Sequence, residues 1–379
     1  MKKKFIIVST ISTTLNFFNG QIAFLNRFFD VELVSSPDEV LYLVSEREGV
    51  KVHPIKMVRE ISLFKDLKGL LQLIKLFITL KPHVVHGNTP KGGLLSMTAA
   101  WITRVPHRIY FIHGLRYEGE TGLKRKIILS LERISCFFAT DLIAVSFGVK
   151  ENILKNRISK KIPQVIGNGS ANGINPDIYS RHSLTQENLR ETYKISQNHL
   201  VFGFVGRLVS DKGINELVTV FIELNKTHPN IKLLLVGWYE DELDPLQEHI
   251  KQEIITNENI IAVGAQKNVL PFLNMVNVFV FPSYREGFGV SIMEAAAMEL
   301  PVICSDISGC NEIIKDGYNG KLIQHKSTSA LMKAMESFIK KPEQIKQMGE
   351  VTRDYILKKY NQKDVWKEAL NTYQKVVNS

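Results

Sequence analysis

Short apolar runs alternate with longer amphipathic stretches along this chain of 379 residues. Runs such as Phe5-Ile6-Ile7-Val8, Val201-Phe202-Gly203-Phe204-Val205 and Leu233-Leu234-Leu235-Val236 are typical of buried strands. The stretches between them repeat apolar residues at helical spacing. This alternation predicts βαβ units around mostly parallel sheets, and therefore an α/β fold.

One strand, loop and helix unit lies in the C-terminal half. The strand-like run Val278-Phe279-Val280-Phe281 leads into a glycine-containing loop, and an alanine-rich helical stretch follows from Val290 to Met298. Glycine lets a backbone approach a ligand, and the free N–H groups that begin a helix favour an anion. Glu286 and Glu294 can accept hydrogen bonds from hydroxyls of one ligand. A nucleotide sugar has this chemistry, whereas a tight turn with two solvated glutamates is the alternative.

A second unit of the same kind begins with the strand at 201–205. It continues into a loop from Gly206 to Gly213 that contains Arg207 and Lys212. A guanidinium fork and a compact ammonium suit the oxygens of a diphosphate, and together they can neutralise it without a metal. Ordinary surface charge is the alternative for two such cations.

Polar residues follow two predicted strands in the N-terminal half. The loop Asn88-Thr89-Pro90-Lys91 follows one strand, and His113-Gly114-Leu115-Arg116 follows the strand at 108–112. Strand ends in open α/β sheets line the ligand crevice, so His113 can bond a sugar hydroxyl there, although a structural role is the alternative. Gly20 precedes a helix predicted from about Ile22 to Phe29, and either lets the backbone approach a ligand or makes an ordinary turn.

These motifs resemble the donor-site signature of retaining glycosyltransferases of family 4. The resemblance is carried by Pro282 to Glu294, by Pro301-Val302-Ile303 and by Gly309 to Ile314. The loops at 89–91 and 113–116 resemble the branch found in bacterial capsule and lipid-linked oligosaccharide assembly. The family likeness implies a GT-B fold, in which two Rossmann-like domains face each other across a cleft.

The resemblance also implies a division of labour between the two domains. Residues 1–180 would form the acceptor-binding domain, completed by a C-terminal helix at about 361–379 that crosses back to it. Residues 181–360 would form the domain that binds the nucleotide-sugar donor. A linker is predicted from Asn175 to Asn188, where polar residues and proline interrupt the periodicity.

The same resemblance implies roles for single residues. Glu286 would bind sugar hydroxyls, Glu294 would bind the ribose of the nucleotide, and His113 would bind the sugar near the reacting centre. The residues implied in catalysis are His113, Arg207, Lys212 and Glu286. Those implied at the donor are Gly20, Ala265, Glu286, Gly287, Phe288, Gly289, Val290 and Glu294. Those implied at the acceptor are Asn88, Thr89, Lys91 and Arg116.

No metal and no cofactor besides the donor substrate is expected. The acidic loop from Glu240 to Asp244 offers carboxylates for a metal. It is interpreted instead as a solvated loop, because the family it resembles needs no bound metal. The reaction implied is transfer with retained anomeric configuration.

Charge is distributed unevenly between the two halves. Residues 1–185 contain 26 Lys and Arg against 14 Asp and Glu, whereas residues 186–379 contain 22 against 24. A basic half suits nucleic acid, an anionic membrane or a phosphorylated substrate. Because no nucleic-acid-binding motif accompanies the charge, a membrane surface and a diphosphate are favoured, with no nucleic acid as a partner.

Two basic amphipathic helices are predicted within that half, at 63–80 and 123–138. In the first, Leu73, Leu76 and Leu80 widen the apolar face beyond what core packing needs. Such helices lie in bilayer interfaces and are attracted to anionic lipid, although helices that pack on a sheet with solvated lysines are the alternative.

The compartment follows from the cysteines and the first residues. Cys136, Cys304 and Cys310 form no paired framework, which favours reduced thiols in the cytoplasm. The apolar run after Lys4 is cut short by Ser and Thr, so it predicts a first strand rather than a signal peptide. The expected location is cytoplasmic and peripheral, on the inner face of the cell membrane.

The capsule-branch likeness implies a UDP-linked N-acetylated hexosamine, or its 6-deoxy relative, as donor. It implies a polyprenyl-diphosphate-linked saccharide as acceptor. One alternative is a nucleotide-sugar hydrolase or 2-epimerase on the same fold. Another is a non-catalytic membrane-surface protein that uses the basic helices, although Arg207, Lys212, Glu286 and Glu294 argue against it.

Overall fold

A computed structural model of the chain describes residues 2–58, 62–181 and 189–378. The chain divides into one unit of Met1–Gly173 with Gln362–Ser379 and a second unit of Ile174–Asn361. The sequence had placed this border at 180/181. The structure places it earlier because residues 174–181 are bound to the second unit, where Arg353 donates a hydrogen bond of 2.8 Å to the carbonyl of Pro176. Residues 182–188 of the predicted linker lie outside the described residues.

The described residues of the first unit contain a parallel sheet. Its strands are β1 (Lys4–Val8), β2 (Asp30–Ser35), β3 (Lys51–Pro54), β4 (Val84–Asn88), β5 (His107–Ile112), β6 (Asp141–Ala144) and β7 (Gln164–Val165). Their spatial order is β3-β2-β1-β4-β5-β6-β7. The order reverses between β1 and β4, where Phe5 lies opposite Val84.

The second unit repeats this arrangement in its own described residues. Its strands are β8 (Leu200–Val205), β9 (Ile231–Val236), β10 (Ile260–Ala262), β11 (Val278–Phe281), β12 (Val302–Ser305) and β13 (Gly320–Ile323). They are parallel and ordered β10-β9-β8-β11-β12-β13, so the order reverses between β8 and β11. Ligands of open α/β sheets bind beyond the carboxyl ends of the strands at such a reversal.

Helices connect most of the parallel strands, whereas β12 and β13 are joined by a segment without a helix. Those of the first unit are α1 (Gln21–Asn26), α2 (Glu39–Glu48), α3 (Leu63–Leu80), α4 (Pro90–Ile102), α5 (Gly122–Phe138) and α6 (Phe147–Lys155). Those of the second are α7 (Leu189–Thr192), α8 (Ile214–Thr227), α9 (Glu248–Thr256), α10 (Leu270–Leu273), α11 (Val290–Ala297), α12 (Thr328–Lys340) and α13 (Glu343–Tyr360). The last helix, α14 (Gln362–Asn378), belongs to the first unit.

Buried strands explain the continuous apolar runs of the sequence. The central strands β1, β4, β8 and β11 are almost wholly buried, because helices cover both faces of a parallel sheet. The predicted strand at 278–281 and the predicted helix at 63–80 have the predicted bounds. The first helix is shorter than predicted and ends at Asn26 rather than Phe29.

Candidate functional site

Two loops meet at the strand-order reversal of the second sheet. One follows β8 and the other follows β11, and Gly213 brings them into contact. Gly213 has φ of 72°, and a Cβ there would lie 2.2 Å from the carbonyl oxygen of Pro282. Only glycine accommodates both conditions, so this position allows α8 to begin against the β11 loop.

Lys212 and Glu286 form an ion pair between these two loops. The Nζ of Lys212 bonds Oε1 of Glu286, and the two side chains are only 14% and 12% exposed. The same Nζ lies 5.3 Å from the ring centroid of Phe281, at the end of β11. A cation held by one carboxylate beside an aromatic face keeps donor groups for a second anion. The structure therefore brings together two residues that the sequence predicted to act together.

Arg207 lies in the loop after β8 and is bound by the acidic loop. Its Nη1 donates to Oε2 of Glu240 at 2.5 Å. Asp244 of the same loop accepts a 2.8 Å hydrogen bond from the backbone N–H of Asp211. The interpretation of this loop as solvated is correct for Asp241 and Glu242, which are exposed, but wrong for Glu240 and Asp244, whose carboxylates are bound to the predicted donor motif.

The carboxylates of this region do not form a metal cluster in the part of the chain that the structure describes. No three side chains of His, Cys, Asp or Glu are grouped there in a way that would hold an ion. Asp211 instead accepts from the Arg285 guanidinium at 2.7 Å. Arg285 is a cation within the β11 loop that the sequence reasoning did not consider.

The start of α11 presents a candidate anion site. Gly289 precedes the helix without a side-chain cap, and its N–H donates to the carbonyl of Gly309 at 2.9 Å. Phe288 is buried against the ring of Tyr360, with the centroids 5.4 Å apart, whereas Val290 is exposed. Amides in the first turn of a helix have no intrahelical acceptor. The N–H of Val290 also donates within the loop, to the carbonyl of Phe288 at 2.9 Å, so a phosphate at this start would be bound by the amides that follow Val290 in the first turn.

Glu294 lies in α11 and is held by a residue that the sequence reasoning missed. The hydroxyl of Tyr179 donates to Oε1 of Glu294 at 2.6 Å. Burial raises the pKa of Glu294 to about 7, and the hydrogen bond from Tyr179 opposes that rise. Tyr179 lies 115 positions before Glu294, so no local motif could have paired them.

Ala265 lies farther from the strand-order reversal than the residues above. It is exposed in the loop after β10, which is an edge strand separated from β8 by β9. The neighbouring Gly264 accepts a 3.0 Å hydrogen bond from the N–H of Gly237. The predicted contact of Ala265 with the nucleotide base stays a prediction.

In the first unit, His113 belongs to a network that we call the histidine network, made of His113, Asn88, His86 and Tyr373. Nε2 of His113 lies 2.9 Å from Oδ1 of Asn88, and Nδ2 of Asn88 lies 3.0 Å from Nδ1 of His86. Nε2 of His86 then lies 3.1 Å from the hydroxyl of Tyr373 on α14. Asn88, His86 and Tyr373 are buried, whereas His113 is half-buried at the end of β5.

The other predicted acceptor residues lie in the segments that follow β4 and β5. Thr89 caps α4 by accepting from the N–H of Gly92 at 3.2 Å, and its Oγ1 lies 2.7 Å from Oγ1 of Thr10. Lys91 pairs with both oxygens of Asp66 at 2.8 and 2.9 Å. Arg116 is exposed in the turn after β5. Their contact with an acceptor stays a prediction.

Gly20 has a structural role that the sequence left open. Its φ is 77°, and a Cβ there would lie 2.7 Å from the ring of Trp366 on α14. Its N–H donates to Oε1 of the buried Glu48 at 2.9 Å. This glycine therefore allows α1 to pack beside α14, while its predicted approach to the donor stays a prediction.

The helices α3 and α5 carry exposed apolar stripes. On α3 the exposed residues are Leu63, Phe64, Leu67, Leu71 and Ile78. On α5 they are Leu123, Ile127, Ile134 and Phe137. The two stripes belong to one helical layer, because α4 packs against both helices.

Helix α3 has more apolar surface than its packing on the core uses, as predicted, but the position predicted for Leu73 was wrong. Leu73, which was predicted to widen the outer face, is fully buried together with Phe77. Leu73 and Phe77 lie four residues apart and therefore share the face that packs on the core. The exposed stripe begins instead with Leu63 and Phe64. No helix among the described residues has the length and apolar character needed to cross a membrane.

Comparisons with known families cover most of the chain. Residues 185–355 match the family described as "Glycosyl transferases group 1", and residues 14–146 match "Glycosyl transferase 4-like". The first match falls within the second unit and the second match within the first unit.

Two relatives align over most of their length. The capsular polysaccharide biosynthesis glycosyltransferase CapM of Staphylococcus aureus is 35% identical over 374 residues, which are 98% of this chain and 97% of that protein. The UDP-Gal:alpha-D-GlcNAc-diphosphoundecaprenol alpha-1,3-galactosyltransferase of Escherichia coli is 28% identical over 320 residues, which are 82% of this chain and 80% of that protein.

A solved structure shares the whole fold. Anabaena Alr3699/HepE, crystallised in complex with UDP, superposes with a TM-score of 0.80 over 99% of this chain and 100% of that one. The sequences are 17% identical, so this similarity concerns the fold alone. The predicted architecture of two Rossmann-like domains of the GT-B class is confirmed.

Proposed function

This chain belongs to the family-4 glycosyltransferases of the GT-B fold, and we propose that it moves a sugar from a nucleotide diphosphate sugar to a polyprenyl-diphosphate-linked saccharide. The observation that carries the proposal is the position of Lys212, Glu286 and the start of α11 around one strand-order reversal. Cations and helix amides suit the diphosphate, and a carboxylate suits the sugar hydroxyls. The proposed process is synthesis of a capsule or another surface polysaccharide, as the name of the Staphylococcus aureus relative suggests.

The proposed nucleotide is UDP, and the proposed sugar is an N-acetylated hexosamine or its 6-deoxy relative. The Anabaena structure of the same fold was crystallised with UDP, and the Escherichia coli relative uses UDP-Gal. The latter acts on a sugar attached to diphosphoundecaprenol, which supports the proposed class of acceptor. In this proposal the second unit binds the donor and the first unit binds the acceptor.

The proposed chemistry separates charge at the anomeric carbon. The bond from that carbon to the diphosphate oxygen breaks, and its electron pair leaves with the diphosphate. Arg207, Lys212 and the first turn of α11 stabilise the negative charge that develops, without a metal in the proposal. The acceptor hydroxyl forms the new bond on the face from which the diphosphate leaves, and its proton passes to the departing oxygen. The configuration is therefore retained.

Orientation of the donor is the proposed role of the two glutamates. Glu286, already held by Lys212, accepts hydrogen bonds from sugar hydroxyls, and Glu294 accepts them from the ribose. Neither is assigned as a covalent nucleophile, so the scheme differs from that of glycosidases with two catalytic carboxylates. His113 contacts the sugar near the reacting carbon in this proposal.

A donor screen tests the proposed reaction. The full chain is incubated with each of several UDP-sugars, with and without a synthetic polyprenyl-diphosphate glycan. We expect a product only when acceptor is present, with the highest kcat/KM for a UDP-N-acetylhexosamine or its 6-deoxy form. NMR of the product should give the anomeric configuration of the donor.

Two results of that screen would contradict transfer. UDP release at the same rate without acceptor would favour a hydrolase, and an isomerised nucleotide sugar would favour a 2-epimerase. A non-catalytic protein is already set aside, because the chain belongs to a family of transferases.

The first unit is also proposed to bind an anionic membrane from the cytoplasmic side. Phe64 on α3 is 90% exposed and Leu123 on α5 is 72% exposed, although both are large apolar side chains. Lysines such as Lys65, Lys68 and Lys124 flank the two stripes. An exposed apolar patch bordered by cations is typical of a surface that enters a bilayer interface.

Replacing Phe64 and Leu123 together with aspartate should strongly reduce binding to anionic liposomes, because the apolar contact is lost and the two added negative charges weaken the attraction of the lysines to the lipid. Cosedimentation with vesicles of phosphatidylglycerol and phosphatidylcholine measures the bound fraction. Ile255→Asp is the matched control, since Ile255 on α9 is 76% exposed but lies outside the basic unit. Equal sedimentation of the double variant and the wild type would refute this surface.

A further inference from the structure

The histidine network places three buried polar side chains behind one half-buried histidine. The hydrogen bonds run from His113 through Asn88 to His86 and then to Tyr373, with heavy-atom distances of 2.9, 3.0 and 3.1 Å. The four residues come from β4, the end of β5 and the last helix α14. Buried polar groups are costly unless they are paired, so the direction of each hydrogen bond is constrained.

The amide of Asn88 sets these directions. Its Nδ2 lies 3.4 Å from the carbonyl oxygen of Val8 and 3.3 Å from that of His86. Carbonyl oxygens only accept hydrogen bonds, so the NH₂ group must be on this side. Oδ1 of Asn88 therefore faces His113, and it can only accept.

Both histidine tautomers follow from that orientation. Nε2 of His113 must carry the proton that it donates to Oδ1 of Asn88, which leaves Nδ1 of a neutral His113 as an acceptor. Nδ1 of His86 accepts from the Asn88 amide, so Nε2 of His86 carries the proton that it donates to the Tyr373 hydroxyl. One amide thus determines the state of two imidazoles.

Both rings remain neutral at physiological pH. Burial lowers the pKa of His113 to about 3, with a further contribution from the neighbouring His86. Burial also lowers the pKa of His86 to about 3. The ring of His113 packs 4.5 Å from that of Phe111 and 5.7 Å from that of Phe18, measured between centroids, which restricts its rotation.

We propose that Asn88, His86 and Tyr373 are positioning residues that hold His113 with its proton on Nε2, so that Nδ1 accepts a hydrogen bond from a hydroxyl of the bound sugar. This inference rests on the proposed function, because it uses His113 as the residue at the sugar. Asn88 then acts through His113 rather than through direct contact with the acceptor. Tyr373 connects the last helix of the chain to the same histidine.

The protonated nitrogen of His113 can be observed directly. The full chain is labelled with ¹⁵N-histidine, and the His113 ring signals are assigned with the His113→Gln variant. Correlations between ring nitrogens and carbon-bound protons distinguish the two tautomers. We expect the proton of His113 on Nε2, with no second proton between pH 5 and pH 8.

Two variants test the other members of the network. Asn88→Asp places a carboxylate between the histidines and should give one of them a second proton near neutral pH, because an opposite charge favours imidazolium. Tyr373→Phe removes the acceptor of the His86 Nε2 proton and should shift the His86 Nε2 signal, while the proton stays on Nε2 because Nδ1 still accepts from Asn88. We expect kcat of Tyr373→Phe to fall about tenfold at an unchanged donor KM, as for other residues that orient a functional side chain through a hydrogen bond.

Tyr110→Phe is the matched control. Tyr110 is as buried as Tyr373, but its hydroxyl donates to Glu132 at 2.8 Å, outside the histidine network. This variant should leave the His113 and His86 signals and kcat unchanged.

A wild-type His113 with its proton on Nδ1 would overturn the inference. So would wild-type ring signals in both Asn88→Asp and Tyr373→Phe. The ring signals are recorded without ligand, so they decide the network even if the donor screen finds no transfer. Failure of that screen would refute the proposed function alone.

Discussion

Replacing Lys212 with alanine should lower kcat for sugar transfer by about 10³-fold, because one preorganised cation is removed from the departing diphosphate. Lys212 is only 14% exposed and is held by Glu286, so little reorganisation is needed when negative charge develops near it. A uniform loss of donor binding would raise KM with kcat unchanged, whereas loss of charge stabilisation in the transition state lowers kcat. Steady-state kinetics with the donor found by the screen separates these two effects.

Lys226→Ala is the control for this variant. Lys226 lies in the last turn of α8, which begins directly after the Lys212 loop, and it also pairs with a glutamate, Glu223 at 2.7 Å. Both side chains of that second pair are exposed, so its loss should leave kcat and the melting temperature unchanged. Wild-type kcat in Lys212→Ala, with circular dichroism unchanged, would refute the assigned role.

Replacing Glu294 with alanine should raise the donor KM by about 100-fold and reduce transfer below detection at low donor concentration. Hydrogen bonds to a charged group contribute roughly 1.5–3 kcal/mol each, and the proposed contact with the ribose uses such bonds. Glu248→Ala, an exposed glutamate on α9, is the control and should leave KM unchanged. A donor KM equal to that of the wild type in Glu294→Ala would exclude the ribose contact.

Because the pKa of Glu294 lies near neutrality, the proposed contact between Glu294 and the ribose predicts that donor binding depends on pH. The ionised carboxylate accepts hydroxyl hydrogen bonds better than the neutral acid, so donor binding should strengthen as pH rises through about 7. Between pH 8 and pH 6 the ionised fraction falls from about nine tenths to about one tenth, which should raise the donor KM up to about tenfold. Tyr179→Phe removes the hydrogen bond that lowers this pKa, so the midpoint should move to higher pH. A midpoint that stays at the wild-type pH in Tyr179→Phe would contradict this account.

Residues close in sequence were the ones whose relations could be predicted. The strand at 278–281 and the helix at 63–80 follow from local periodicity, and the structure confirms their bounds. The loop between β11 and α11 could be recognised because its glycine, its carboxylates and its flanking elements are adjacent in the chain. The family resemblance placed Lys212 and Glu286, 74 positions apart, in one site, but their ion pair appeared only in the structure.

Contacts without a local pattern could not be predicted. Glu240 reached Arg207 from a loop that was interpreted as solvated, because carboxylate count alone does not reveal a distant guanidinium. Leu73 was assigned to the outer face of its helix, since apolar residues surround much of α3 and periodicity does not say which side meets the sheet. Tyr179 has no motif that would connect it with Glu294.

By itself the sequence determined the α/β class, the two sheets, the basic first half and the loops at the strand ends. These depend on periodicity, composition and neighbouring residues, which a linear chain records directly. Only the tertiary structure decided how the functional side chains are held. Tyr373 meets His86 across 287 positions, and Tyr179 meets Glu294 across 115. Such hydrogen bonds set tautomer and pKa through burial and geometry, and these quantities exist only once distant elements have packed together.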